Sequence, residues 1–145
     1  MKTLHFSKTI NVSADKVWNT MLEDETYRQW TTAFTEGSHF KGSWEEGAKI
    51  LFLDADGQGM VSTIAENRPH QFISIKHIGI IYDGVEDTES EEAKKWAPAY
   101  ENYTFTEKDG KTTLTVDMDI QEEYEEMFNK MWPNALQKLK ELAES

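Results

Sequence analysis

The C-terminal stretch constrains the fold more than any other part of the chain. Between residues 121 and 143 the apolar positions are Tyr124, Met127, Phe128, Met131, Trp132, Ala135, Leu136, Leu139 and Leu142, separated by steps of three and one. That spacing gathers them into a single wide stripe on an α-helix. At about 1.5 Å per residue such a helix spans more than ~30 Å, the width of a small domain. Pro133 lies inside it and removes one backbone donor, which predicts a kink near Asn129. So long a stripe needs an apolar surface to cover it, and the rest of the chain must supply that surface.

The rest reads mostly as strands. Leu4, Phe6, Lys8, Ile10 and Val12 alternate with His5, Ser7, Thr9 and Asn11, a half-buried strand broken only by Lys8. Ser13 follows as a helix N-cap with Asp15 in the first turn, and Val17, Trp18, Met21 and Leu22 continue at helical spacing. A second short helix is predicted over 24–33, with Tyr27, Trp30 and Phe34 on one face. Strands resume near His39, where Phe40, Gly42 and Trp44 share a face, and continue over 48–54, 59–67, 72–81, 100–106 and 112–120. Asp56-Gly57 and Lys108-Asp109-Gly110-Lys111 supply hairpin turns, and Gly47 and Pro69 punctuate two others. A phase slip between Val61 and Ile64 predicts a bulge. In the last strand Leu114, Val116, Met118 and Ile120 face in, and Thr113, Thr115, Asp117 and Asp119 face water. Strands joined by short turns pair antiparallel. The order is strand, two short helices, about six strands and a long helix. It predicts an α+β fold, a curved antiparallel sheet wrapped around the C-terminal helix, as one domain over 1–145.

Composition narrows the function classes. The formal net charge is −12, and no basic patch interrupts it, which speaks against nucleic acid and against membrane surfaces. The bland reading of that acidity is solubility. No cysteine is present, so disulfides and thiolate metal sites are excluded. His5, His39, His70 and His77 show no paired zinc spacing. The segment Asp54-Ala55-Asp56-Gly57-Gln58-Gly59 hints at a calcium loop, but the twelfth position counted from Asp54 is Ala65, not an acid. The expectation is no metal and no cofactor. The N-terminal residues lack a signal peptide's apolar run, and no stretch is long and apolar enough to span a bilayer, so the expected location is the cytoplasm.

Several landmarks carry a resemblance over nearly the whole chain. They are Val12-Ser13-Ala14-Asp15-Lys16-Val17-Trp18 entering the first helix, Tyr27-Arg28-Gln29-Trp30 in the second, Gly47 before a strand, and Gly59 followed by Ile64, Glu66 and Pro69. Tyr103-Thr104-Phe105, Leu114-Thr115-Val116 and Trp132 complete the set. In this order they resemble the START-like (SRPBCC, helix-grip) superfamily, and within it the branch named after the activator of the heat-shock-protein-90 ATPase. The resemblance implies a cavity between the sheet and the long helix, which members use to hold lipids, hormones, polyketides or aromatic compounds. A minority of members are enzymes, and none of their subfamily-specific catalytic residues is matched here. The segment from Gly84 through Trp96, with Tyr100-Glu101-Asn102-Tyr103 after it, resembles an insertion of one subgroup.

Candidate site residues follow. His77 shares a strand face with Ile73, Ile75 and Gly79, opposite Ser74 and Lys76; it is either a polar contact for a ligand or a core histidine satisfied by a carbonyl or by Tyr103. Met60, Met118, Met127 and Met131 line an adaptable pocket or simply fill the core. Trp30 and Phe34 form a pocket mouth or pin the second helix; Phe52, Ile75, Tyr103 and Phe105 complete the cavity set. The acidic segment 82–98 is read as a flap anchored by Tyr82, Trp96 and Tyr100, against an ornamental loop or a dimer contact through Trp96. Three functions stay open. The first is non-catalytic binding of a small, mostly apolar or aromatic ligand. The second is a chaperone-associated interaction protein, as monomer or homodimer. The third is a cavity-type cyclase or hydrolase with His77 as general acid or base.

Overall fold

The computed structural model describes Met1–Ser145. Strand β1 (Lys2–Ile10) leads into helices α1 (Ala14–Leu22) and α2 (Asp24–Trp30), the latter extended by a short turn of tighter helix, Thr31–Ala33. Strands β2 (His39–Gly42), β3 (Lys49–Leu53), β4 (Gly59–Arg68) and β5 (Phe72–Tyr82) follow. Next come β6 (Val85–Asp87), α3 (Glu91–Trp96), β7 (Ala99–Lys108) and β8 (Lys111–Ile120), and α4 (Glu125–Glu144) ends the chain. All strand pairs are antiparallel, in the order β1-β8-β7-β5-β4-β3-β2, with β6 attached to β5.

The stripe on α4 meets the inner face of this sheet. One core cluster joins Leu4 and Ile10 of β1, Ile50 of β3, Ile64 of β4, Ile73 and Ile75 of β5, Tyr103 and Phe105 of β7, and Leu114 to Ile120 of β8 with Trp132, Leu136 and Leu139 of α4. Strands that far apart in a sheet reach one helix only if the sheet curves around it. The fold is the α+β helix-grip arrangement that the sequence predicts. A small second cluster, Leu53, Val61 and Ile81, occupies the outer face with Leu51 and Ile78 beside it.

Local details depart from the sequence reading. Ser13 holds the N-cap position of α1, but its hydroxyl bonds Asp15, and the free Ala14 N–H is taken by the Glu107 carboxylate at 2.6 Å. A distant strand thus caps the helix. The α-helix begins at Glu125, after a tighter turn over Glu122–Tyr124, and runs through Pro133 to Glu144 without interruption. The expected bulge lies between Val61 and Ser62, but the extra residue, Ile78, is on the partner strand. It ends the alternation that groups Gly79 with His77, and Ile78 joins the outer cluster. A second irregularity falls at Ala65, between Ile64 and Glu66.

The segment 82–98 is more ordered than a loop held only at its ends. Val85–Asp87 pairs with Ile80–Tyr82, on the part of β5 that β7 leaves free. Asp87 accepts from the backbone amides of Glu89 and Ser90, and Ser90 caps α3 by accepting from Ala93 N at 3.1 Å. Ala93 is fully buried, so the middle of the segment is anchored as well.

Candidate functional site

A cavity of ≈ 280 Å³ remains where the sheet, the α2 turn and α4 do not close on each other. Thirteen of its eighteen lining residues are hydrophobic. Alternation along the strands aims Phe52 of β3, Met60 of β4, His77 of β5, Glu101 and Tyr103 of β7, and Met118 of β8 into it. Helix α2 and its turn add Tyr27, Trp30, Thr31 and Phe34, and α4 adds Phe128 and Trp132, one turn apart. Two aromatic hubs form the walls. Trp132 touches Phe34, Tyr103 and Trp30 at centroid separations of 4.9, 6.1 and 6.2 Å, and Tyr27 lies 5.1 Å from Phe40 and 5.6 Å from Trp30. Tilted and edge-to-face contacts of this kind pack the rings against one another, so the walls are preformed.

One polar chain crosses this apolar wall. His77 Nδ1 lies 2.6 Å from Ser62 Oγ, and His77 Nε2 lies 3.2 Å from a Glu101 oxygen; Tyr103 donates its hydroxyl to the other Glu101 oxygen. With the imidazole neutral, the directions are fixed by the carboxylate, which only accepts. Nε2–H donates to Glu101, and the Ser62 hydroxyl donates to Nδ1. Burial pushes the Tyr103 hydroxyl well above the ordinary tyrosine value, and the Glu101 charge adds to the shift. Tyr27 moves in the same direction, again first by burial and then by Glu101. The order Ser62–His77–Glu101 imitates a nucleophile, base and acid. Ser62 is fully buried and does not line the cavity, so a substrate carbonyl has no approach to its Oγ.

Of the sequence-predicted cavity residues, Trp30, Phe34, Phe52, Met60, His77, Tyr103 and Met118 line the cavity. Four do not. Ile75 faces inward but belongs to the solid core beyond the cavity. Phe105 packs on Trp18 at 5.2 Å, toward α1. Met127 is 39% exposed, and Met131 does not reach the cavity either, because Phe128 and Trp132 occupy that face of α4. Trp96, predicted as a flap anchor, lines the cavity and lies 5.0 Å from Tyr124. Tyr82 and Tyr100 do not pack back as anchors; they are 61% and 38% exposed, at the tip of the β5–β6 hairpin and on the outer face of β7. The sequence reading missed Glu101 and Ser62. The signal was available: Glu101 shares a strand phase with Tyr103, and Ser62 with Met60 and Ile64.

The geometry agrees with comparisons to known proteins. The chain matches the family described as Activator of Hsp90 ATPase homolog 1-like protein over residues 11–144. No curated protein matches it. Among solved structures it is similar to the Aha1 dimer from Colwellia psychrerythraea, with a TM-score of 0.75, 14% identity, and coverage of 99% of this chain and 97% of that one. A protein from Mesorhizobium loti gives a TM-score of 0.73 at 14% identity, covering 97% and 96%. One from Chromobacterium violaceum gives 0.72 at 16%, covering 99% and 97%. At these identities the structures speak to the fold alone, and the family match covers nearly the whole chain. This chain belongs to the Activator of Hsp90 ATPase homolog 1-like family.

Proposed function

We propose that the protein binds one small, mostly apolar molecule in the cavity between the sheet and α4. The observation that carries this reading is the cavity itself: ≈ 280 Å³, mostly apolar, walled by rings that hold each other. At protein-like packing it has room for about 200 Å³ of ligand, the size of a three-ring compound. Leaving an apolar space of this size unfilled costs stability on the order of 24 cal/mol per Å³. Larger side chains at Ala99 or Thr31 would have filled part of it. Fluorescence titration with the neutral probe N-phenyl-naphthylamine, beside native mass spectrometry of freshly purified protein, tests the reading. One probe per chain is expected, with binding weakened at least tenfold by Met60→Trp, which fills the cavity. Absence of both a copurified mass and probe binding overturns it.

A second reading, a chaperone-associated or self-associating protein, has one observation in its favour. Tyr82 and Val85 face each other at the tip of the β5–β6 hairpin and are 61% and 66% exposed. The similarity to the Colwellia Aha1 dimer bears on the same reading. The native spectra that seek a ligand also report any dimer, and Tyr82→Ser would dissolve one built on this tip.

A further inference from the structure

The charge and donor balance of the cavity narrows the ligand class beyond the apolar molecule proposed above, and rests on that reading. Glu101 is the one carboxylate that strand alternation aims into the cavity; Asp119 borders it from β8 with its side chain on the outer face beside Thr3, and no lysine or arginine lines it. Lys2, next in sequence to the lining residue Met1, is paired with Glu125 at 2.8 Å. Several of the hydrogen-bond donors are spent on the protein. The Trp30 and Trp132 indole N–H groups go to the Met21 carbonyl and the Met118 sulfur, at 3.1 and 2.7 Å. Gln121 donates to the Lys95 carbonyl at 2.6 Å, Thr31 to the Tyr27 carbonyl at 2.5 Å, and Tyr103 to Glu101. Both nitrogens of His77 are engaged.

Acceptors, by contrast, are left over. A carboxylate offers about four lone-pair positions. Glu101 receives Tyr103 and His77. It therefore keeps about two positions open. Eight of the eighteen lining residues are Phe, Tyr or Trp, and ring faces carry negative potential that attracts cations and N–H groups. The net charge of −12 steers the same kind of ligand inward. A carboxylate or phosphate would meet the like charge of Glu101 and find no lysine or arginine side chain to compensate it. We propose that the cavity selects an organic cation, an amine in its ammonium form on an apolar or aromatic body, with the nitrogen held by Glu101 and the body stacked among Trp30, Phe34 and Trp132.

Calorimetry with naphthylmethylamine, naphthylmethanol and naphthoate near neutral pH tests this on one skeleton. The amine is expected to bind at least tenfold more tightly than the alcohol, and naphthoate most weakly. Glu101→Gln is expected to remove most of the amine's advantage while leaving the alcohol's affinity within about twofold. If naphthoate binds as tightly as the amine, or if the amine's advantage survives Glu101→Gln, the cation inference fails while the cavity reading stands. If none of the three binds, the inference fails, and N-phenyl-naphthylamine binding decides whether the cavity reading fails with it. Should Glu101→Gln not fold, the ranking of the three probes on the unsubstituted chain decides alone.

Discussion

At the scale of single residues, Glu101 and the tyrosine hydroxyls around it have the most distinctive electrostatics. Tyr103 is the more deeply buried; it donates to Glu101, and both burial and that charge raise its pKa above the ordinary value of 10.0. The consequence for stability has a definite sign. Below about pH 10 the folded and unfolded chains both keep the proton, so the contribution is fully present. Above it the unfolded chain releases a proton that the folded chain retains, and stability falls by up to about 1.4 kcal/mol per pH unit for each such tyrosine. Tyr27 adds to the effect in the same window. Alkaline denaturation followed by tyrosinate absorbance should show these two hydroxyls ionising only as the fold opens. Tyr103→Phe should make the alkaline loss shallower. An unchanged slope would mean that Tyr103 already ionises in the folded protein.

At the scale of elements, the insertion between β5 and β7 depends on close backbone approach. A Cβ on Gly79 would stand 2.3 Å from the Asp87 carbonyl oxygen, well inside any tolerated contact. Gly79 is therefore where the chain returning from β6 lies against the sheet. Gly79→Ala should push Val85–Asp87 off β5 and loosen α3, whose N-cap follows directly. Hydrogen exchange should then quicken at least tenfold across 85–96 while β8 stays protected; equal protection in both proteins would show that the insertion is held elsewhere. Trp96 is the insertion's only contribution to the cavity wall among the three aromatic residues expected to anchor it. Trp96→Ala should therefore speed loss of a bound N-phenyl-naphthylamine more than it lowers the melting temperature. The opposite ranking would make Trp96 a structural residue.

At the scale of the whole molecule, α4 is the axis about which the sheet closes, but its stripe is not uniform in value. Trp132 is almost fully buried and touches Phe6, Trp30, Phe34 and Tyr103, residues from β1, α2 with its turn, and β7. Trp132→Ala should cost about 3–5 kcal/mol, measured by denaturant unfolding. Met127, on the same sequence stripe, is 39% exposed, and Met127→Ala should stay within about 0.5 kcal/mol. Similar losses at both positions would mean that the helix packs with another face than the one described.

What the sequence determined alone is the identity of the elements and the face of each that turns inward. Periods of 3.6 and 2 residues are local properties, so the stripe on α4 and the alternation of Leu114, Val116, Met118 and Ile120 were legible before any contact was known. What only the tertiary structure decided is depth and juxtaposition. Met127 and Trp132 look equivalent on a helical stripe, and curvature of the sheet separates them. The polar chain at the cavity depends on register. Val61 pairs with Gly79, so an unbroken ladder would set Ser62 opposite Ile78; the extra residue in β5 sets it opposite His77 instead. Glu101 then arrives from β7 at 3.2 Å from the same imidazole. The partners are fifteen and twenty-four residues from His77 along the chain; one inserted residue sets the first meeting and the β5–β7 register the second. Local periodicity carries no information on that alignment, because the register follows from the packing of every neighbouring strand at once.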